Sequence, residues 1–235
     1  MRVLAIGAHP DDLEFRCAGT LARYAGRGDK VFMVTTTIAE LGNFELRRAE
    51  TAAVRQREAA ESAALIGAEY IGLKFEDNTV NPYDPVQQRT FVDLVRFTQP
   101  DVILCHHPQD YHTDHRNVPE LVIYTAPLTG LTEWPTEHPA WLGSPAVYFY
   151  ANSGGSYFDP THYVDISSVF ETKVAMLKSH ASQLDFLKRY FNMEVLETLE
   201  IEGRFWGMQA GVRYAEAFVQ YKGYGRGNLT VRHLP

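Results

Sequence analysis

Two short segments of this chain carry metal-ligating and proton-transferring side chains at matching spacing. Gly7-Ala8-His9-Pro10-Asp11-Asp12 sets an imidazole and a carboxylate three residues apart on a turn that Pro10 stiffens. His112-Thr113-Asp114-His115 sets two imidazoles three apart with a carboxylate between them. Imidazole nitrogens and carboxylate oxygens are donors that zinc takes, and His9, Asp12 and His115 would supply two histidines and one carboxylate. Such a set leaves a fourth position for water, as catalytic zinc sites do and closed structural ones do not. The same donors suit Fe(II), so iron stays open beside zinc.

Amide hydrolysis requires further groups around such an ion, and the two segments offer them. Asp11 adjoins a ligand without being needed as one and is expected to act as general base. His112, when protonated, is expected to stabilise the oxyanion or to donate a proton to the departing amine, with Asp114 holding its ring and raising its pKa. A bound zinc would supply the Lewis acid and bring the pKa of its water to roughly 7. An isolated His-x-x-Asp carries little weight, because surface turns are rich in such pairs. Two clusters at the ends of adjacent strands carry more.

The elements that must position them follow from short β-branched runs alternating with longer helical stretches, the rhythm of βαβ units. Strands are expected at Val3 to Ala8, Lys30 to Thr37, Glu69 to Leu73, Val102 to His106 and Ala146 to Tyr150. Helices are expected over 14–27, 45–66, 85–99 and Lys173 to Tyr190, with a closing element of open type over Gln209 to Gln220. The pattern predicts an α/β, Rossmann-like three-layer fold with a mainly parallel sheet, residues 1–235 forming one domain. In a doubly wound sheet of order 3-2-1-4-5 the first and fourth strands are neighbours where the winding reverses, and ligand sites form beyond their carboxyl ends. Both segments follow those strands and are expected to converge on one crevice. A phosphate loop after the first strand is disfavoured, since His9, Pro10 and two carboxylates replace its glycines.

Leu46, Ala49, Ala53, Ala60 and Ala64 recur at helical period and are expected to form a core-facing stripe. The stretch from Pro127 to Pro145, with four prolines and Trp134 and Trp141, cannot be a regular helix and is either a lid or a surface excursion. Asn152-Ser153-Gly154-Gly155-Ser156 is expected to be a flexible turn after the fifth strand. Cys105 fits a small buried hydrophobe. His106 and His107 fit strand-end residues, one packed and one in the crevice wall. His180 either reaches the site or ends a helix. The tryptophans, Trp206 included, could stack on a sugar, although large aromatics more often belong to a core.

A chain of 235 residues, 45% hydrophobic, can bury one substantial core. A formal net charge of −7 and an isoelectric point near 5.7 disfavour nucleic acid and anionic membrane as partners. Two cysteines and the lack of a long apolar run lead to the expectation of a cytoplasmic protein without disulfides. The expected partner is a small-molecule N-acylated substrate, and a homo-oligomer is compatible with everything above.

Ala8 to Asp12 and His112 to His115 resemble the two signatures of the LmbE-like, PIG-L type zinc-dependent de-N-acetylases. Similarity runs through most of the chain, since Lys173 to Gln183 and Glu216-Ala217-Phe218 look like later family segments, neither of them specific alone. The resemblance implies His9, Asp12 and His115 as zinc ligands, Asp11 as general base, and His112 with Asp114 as electrostatic partner and orienting carboxylate. It also implies removal of the N-acetyl group from an N-acetylglucosamine conjugate. Asp77 is by resemblance a substrate-binding candidate. Arg47 and Arg48 lie on the same expected side, although a solvated helix face pairing with Glu50 is their default. Thr113 stands where the family often has proline, and Glu14 stands one residue beyond the usual glutamate. Asp110 occupies the place of an oxyanion-donating tyrosine in some relatives, which leaves Tyr111 as the displaced candidate. An amidase for another acylated amine and a non-catalytic, metal-stabilised binding module are the competing expectations.

Overall fold

The computed structural model describes residues 1–152, 156–223 and 233–235. Five parallel strands form the centre and one flank of a sheet: β1 (Arg2–Gly7), β2 (Lys30–Thr37), β3 (Glu69–Phe75), β4 (Val102–Cys105) and β5 (Ala146–Tyr150). Two antiparallel strands, β6 (His162–Asp165) and β7 (Ala215–Gln220), complete the order β3-β2-β1-β4-β5-β7-β6. The expected 3-2-1-4-5 core is therefore present, and β1 and β4 are neighbours, with Val3 paired to Val102 and Ile6 to Cys105.

Alternation along these strands builds two cores, because successive side chains point to opposite faces. Val3, Ala5, Val31, Met33, Val102, Leu104, Tyr148 and Tyr150 enter one cluster, together with α1 (Asp12–Arg16), α2 (Ala18–Gly26) and α6 (Phe170–Lys178). Leu4, Ile6, Phe32, Val34, Ile103, Cys105, Val147 and Phe149 enter the other, against α4 (Pro85–Thr98) and α5 (Thr113–Thr125). Helices thus cover both faces, which gives the three layers and explains why the central strands are apolar throughout. Among the described residues no helix is long and apolar enough to cross a membrane.

Several helices differ from expectation for identifiable reasons. The 14–27 stretch is two helices, broken at Cys17, whose φ of −143° leaves the helical region. Lys173 to Tyr190 is also two, α6 and α7 (Ala181–Phe191), with Ser179 and His180 between them. The closing stretch splits into the end of a further helix, α8 (Val195–Ala210), and the strand β7, separated by a left-handed Gly211. α4 starts as its sequence directs, with the Asp84 carboxylate accepting the Val86 and Gln87 N–H groups and Pro85 in the first turn.

The stripe on α3 (Arg48–Ala64) is corrected outright. Leu46, Ala49, Ala53, Ala60 and Ala64 are all exposed, whereas Thr51, Arg55, Glu58, Ala59, Ser62 and Ala63 are buried. Hydrogen bonding set the helix's rotation. Arg55 donates to the Pro10 carbonyl, Ser62 to Glu14, and Glu58 accepts from Ser182, so the polar face with tertiary partners turned inward.

The 127–145 stretch opens with a 3-10 turn, Ala126–Gly130, and lies at the end of the sheet opposite the crevice, since α5 runs back from that crevice and β5 starts out again. It is therefore no lid. The buried Arg96 of α4 ties it down by donating to the carbonyls of Leu128, Thr129, Leu131, Trp134 and His138. Trp141 packs against the second core, and Trp206 lies in a separate cluster with Phe158. Residues 153–155 of the expected turn after β5 lie outside the described residues.

Candidate metal centre

The carboxyl ends of β1 and β4 release their chains into the two motifs side by side. At the first, Gly7 permits a tight return. A Cβ there would meet the Asp12 Cβ at 3.0 Å. The turn then brings the Asp12 carboxylate back onto the His9 N–H, with Oδ2 accepting at 2.6 Å, and Asp11 adopts φ 116°, a backbone region that side-chain-bearing residues rarely enter. At the second, α5 starts with His112 as its cap and projects His115 from the first turn into the same crevice.

His9 Nδ1 and His115 Nε2 approach to 3.2 Å. Asp12 stands beside both, Oδ2 at 3.6 Å from His9 Nδ1 and Oδ1 at 3.2 Å from His115 Nε2. The opposite nitrogens meet carboxylates: His9 Nε2 lies 3.2 Å from Asp77 Oδ1 and 3.4 Å from Asp114 Oδ2, and His115 Nδ1 lies 3.0 Å from Asp110 Oδ1. A carboxylate can only accept, so with a cation at the facing nitrogens the neutral rings keep their protons on the outer ones, against Asp77, Asp114 and Asp110, and turn lone pairs to the ion. Two lone pairs and a carboxylate directed at one point fit a divalent cation, and a tetrahedral zinc takes this donor set.

Two further histidines border that point, and their hydrogen bonds give them different characters. His112 Nδ1 accepts the Asp114 N–H at 3.2 Å, which places the neutral ring's proton on Nε2 and makes that nitrogen a donor. One nitrogen of His112 nevertheless falls within 4.8 Å of donors on both His9 and His115. His106, the packed member of its pair, accepts the Ala8 N–H at Nε2 (3.0 Å), stacks on the His115 ring, and lies 3.1 Å from Asp12 Oδ2. Burial, with His115 adding to it, pushes the pKa of His106 down to about 4 and keeps the ring neutral. His107 packs edge-on against Phe149 and Phe158.

Electrostatics separates the adjacent aspartates. Burial, reinforced by Asp12, lifts Asp11 to about 6 although Arg55 and two histidines oppose the rise. Burial would raise Asp12 as well, but His115, by charge and by hydrogen bond, holds it well below the usual carboxylate range. Burial would lower His9, yet bonds to Asp114, Asp12 and Asp77 raise it. In the metal-free protein that excess of carboxylates is met by protons, and a cation would displace them.

Sequence reasoning brought His9, Asp11, Asp12, His112, Asp114 and His115 to one site, and they are together. Asp114 has partners other than the expected His112 ring: its carboxylate accepts the Asn78 and Val80 N–H groups and faces His9. On balance burial and the neighbouring His9 and His115 lower the pKa of His112, against the expected rise. Asp77 touches His9 directly. Tyr111 is exposed at the rim, its ring edge-on to those of His112 and His115. Arg47 caps α3 from the exposed side, its N–H donating to Glu50, while Arg48 pairs with Glu40. Arg55 and Asp110 were not foreseen. Asp110 lies two residues before His112, and its carboxylate beside the motif is the signal the sequence offers.

Residues 4–126 match the family described as PIG-L, GlcNAc-PI de-N-acetylase. The diacetylchitobiose deacetylase of Thermococcus kodakarensis is 29% identical over 228 residues, covering 92% of this chain and 81% of its own. Among solved structures, the N,N'-diacetylchitobiose deacetylase of Pyrococcus horikoshii superposes with a TM-score of 0.82 at 26% identity, covering 97% of this chain and 87% of its own. The 4-carboxy-2-hydroxymuconate hydratase GalB of Pseudomonas putida superposes at 0.77 and 22% identity over 98% of this chain and all of its own, a likeness of fold alone.

Proposed function

Because the chain belongs to the PIG-L family, we propose that it is a zinc-dependent N-deacetylase that hydrolyses the acetamide of a small amino-sugar conjugate of the N-acetylglucosamine type. The observation that carries this reading is the approach of two imidazole nitrogens, His9 Nδ1 and His115 Nε2, to 3.2 Å beside the Asp12 carboxylate, with Asp11 adjacent. A zinc ion held by those three side chains would act as the Lewis acid for the acyl oxygen and the attacking water.

The remaining work falls to the chain's own groups. Asp11, with a pKa near 6, is mostly carboxylate at neutral pH and accepts the proton that water loses as its oxygen bonds to the acyl carbon. His112 Nε2–H hydrogen-bonds the oxygen that gains charge, and the proton held by Asp11 passes to the nitrogen as the C–N bond breaks. Acetate and a free amine leave. Asp77, Asp110 and Asp114 hold the two ligand rings, and Tyr111 and Arg47 meet the rest of the substrate at the rim. Residues 1–235 act as one domain, and two free, buried cysteines support a reducing, cytoplasmic setting.

A zinc-reconstituted assay for amine release tests the reading, with N-acetylglucosamine, N,N'-diacetylchitobiose and acetylated non-sugar amines as the panel. Amine release from the sugars is expected, reduced at least ~100-fold in Asp11→Ala with zinc content unchanged. No release from any sugar, or an unimpaired Asp11→Ala, overturns it.

A further inference from the structure

We propose that His106 is a positioning residue that sets the first metal-binding turn against the second by accepting the Ala8 N–H. This rests on the reading of His9, Asp12 and His115 as zinc ligands. The backbone pairing of β1 with β4 ends at Ile6 and Cys105, so the two chains lose their ladder just where they must deliver those ligands. Past that point Ala8 is held from both sides. Its carbonyl accepts the N–H and the hydroxyl of Thr37 at 2.8 and 2.9 Å, and its N–H donates to His106 Nε2 at 3.0 Å. A side chain from the end of β4 thus continues the ladder, and the residue it fixes is the one that precedes His9.

The same ring reaches the second turn. It stacks on the His115 ring with centroids 4.0 Å and planes 19° apart, and Tyr150 meets it edge-on. One buried imidazole therefore touches the backbone ahead of one ligand and the face of another. Its third neighbour is Asp12, whose Oδ2 lies 3.1 Å from Nε2 and already accepts the His9 N–H at 2.6 Å. With the nitrogen's lone pair given to Ala8, that contact sets acceptor against acceptor, and a cation drawing charge from the carboxylate would relieve it.

Ligation and packing are poorer accounts of this residue. To bind zinc through Nε2, the nitrogen beside Asp12, His106 would have to abandon the Ala8 N–H and leave a buried donor unpaired. For packing alone a phenyl ring would serve as well, without burying a polar nitrogen.

The test compares zinc affinity, by competition with a chelator, in the wild type, His106→Phe, His106→Asn and His106→Gln. The Phe variant keeps the ring without an acceptor, the Asn variant carries its oxygen short of the Nε2 position, and the Gln variant can place its oxygen there. Losing a partner that orients a ligand costs about 10–100-fold in metal affinity, so the Phe and Asn variants are expected to weaken by that range and the Gln variant to recover most of it. A purely structural role would lower Tm in all three without ranking the affinity of the folded protein by acceptor. Wild-type affinity in either the Phe or the Asn variant, or a Gln variant as weak as they are, overturns the proposal. If the Phe variant fails to fold, the contrast of Gln with Asn decides. A crystal structure of metal-free His106→Asn provides the arm that is independent of zinc: His9 is expected to shift from His115, and an unchanged 3.2 Å approach of their nitrogens sinks the proposal. If the wild type itself takes up no zinc, the reading of the ligands fails, while that crystal structure still decides the role of His106.

Discussion

His9 and His115 meet the same point with different ring nitrogens, Nδ1 from one and Nε2 from the other, and in each case a carboxylate behind the ring decides which. Asp110 is the cleaner instance, since its Oδ1 lies 3.0 Å from His115 Nδ1 and the carboxylate is almost fully buried. Removing it frees the ring to turn and to protonate inward. Asp110→Ala is expected to weaken zinc binding 10–100-fold, the usual cost of losing a partner that orients a ligand. Competition with a chelator measures this, with Asp11→Ala as the control that keeps wild-type affinity. Equal affinities in the two variants would remove Asp110 from the role. The candidate ligands were legible in the sequence because two such clusters follow adjacent strands, where one His-x-x-Asp alone would have carried little weight. Asp110 and Arg55 were not, because their partners depend on ring tautomer and on the strained turn, neither of which leaves a mark in the spacing.

Between elements, the hinge from α6 to α7 is where sequence pattern and structure part most clearly, and a buried ion pair accounts for it. His180, fully buried at the start of α7, holds Nε2 3.3 Å from Glu14 Oε1 on α1, and Glu14 also accepts the Ser62 hydroxyl. Burial would lower His180, but Glu14 overcomes it and the pKa is raised. Burial would raise Glu14, but His180 and Ser62 hold it below its ordinary value of 4.5. The raised histidine stabilises the fold fully below its unfolded pKa of about 6.5, and this contribution is lost as pH climbs through the folded value. The depressed glutamate stabilises it above its unfolded pKa of about 4.3, and that contribution is lost as pH falls through the folded value. The pair therefore contributes most between those limits. The gap in Tm between the wild type and the neutral double variant Glu14→Gln/His180→Gln is expected to be widest near pH 5.5 and to narrow on both sides. A gap that is constant from pH 4 to 9 would refute this. Strand existence was legible from β-branched runs, as the five parallel strands attest. Helix breaks and rotations were not, since Cys17, His180 and the inward face of α3 follow tertiary bonds rather than periodicity.

At the scale of the whole molecule, the family match ends at residue 126, yet the chain beyond it is wired into the first helices. Glu216 on β7 accepts the Gly19 and Thr20 N–H groups at 2.9 and 2.7 Å, capping α2 from across the sheet. Lys173 on α6 pairs with the same carboxylate and donates to the Phe15 carbonyl that ends α1. Both side chains are buried, so removing either partner leaves an uncompensated charge and costs about 3–5 kcal/mol, whereas removing both costs less than the sum. The pair thus couples the β1–α2 segment to the last strand, and the two parts are expected to unfold together. All three tryptophans lie beyond residue 126, so fluorescence follows the later part while far-UV circular dichroism follows the whole. In urea, Lys173→Met is expected to move both transitions to the same lower midpoint with an unchanged m-value. Fluorescence that shifts while circular dichroism stays would mean that the later part unfolds alone, and that the antiparallel strands are an appendage to the site rather than part of what holds it.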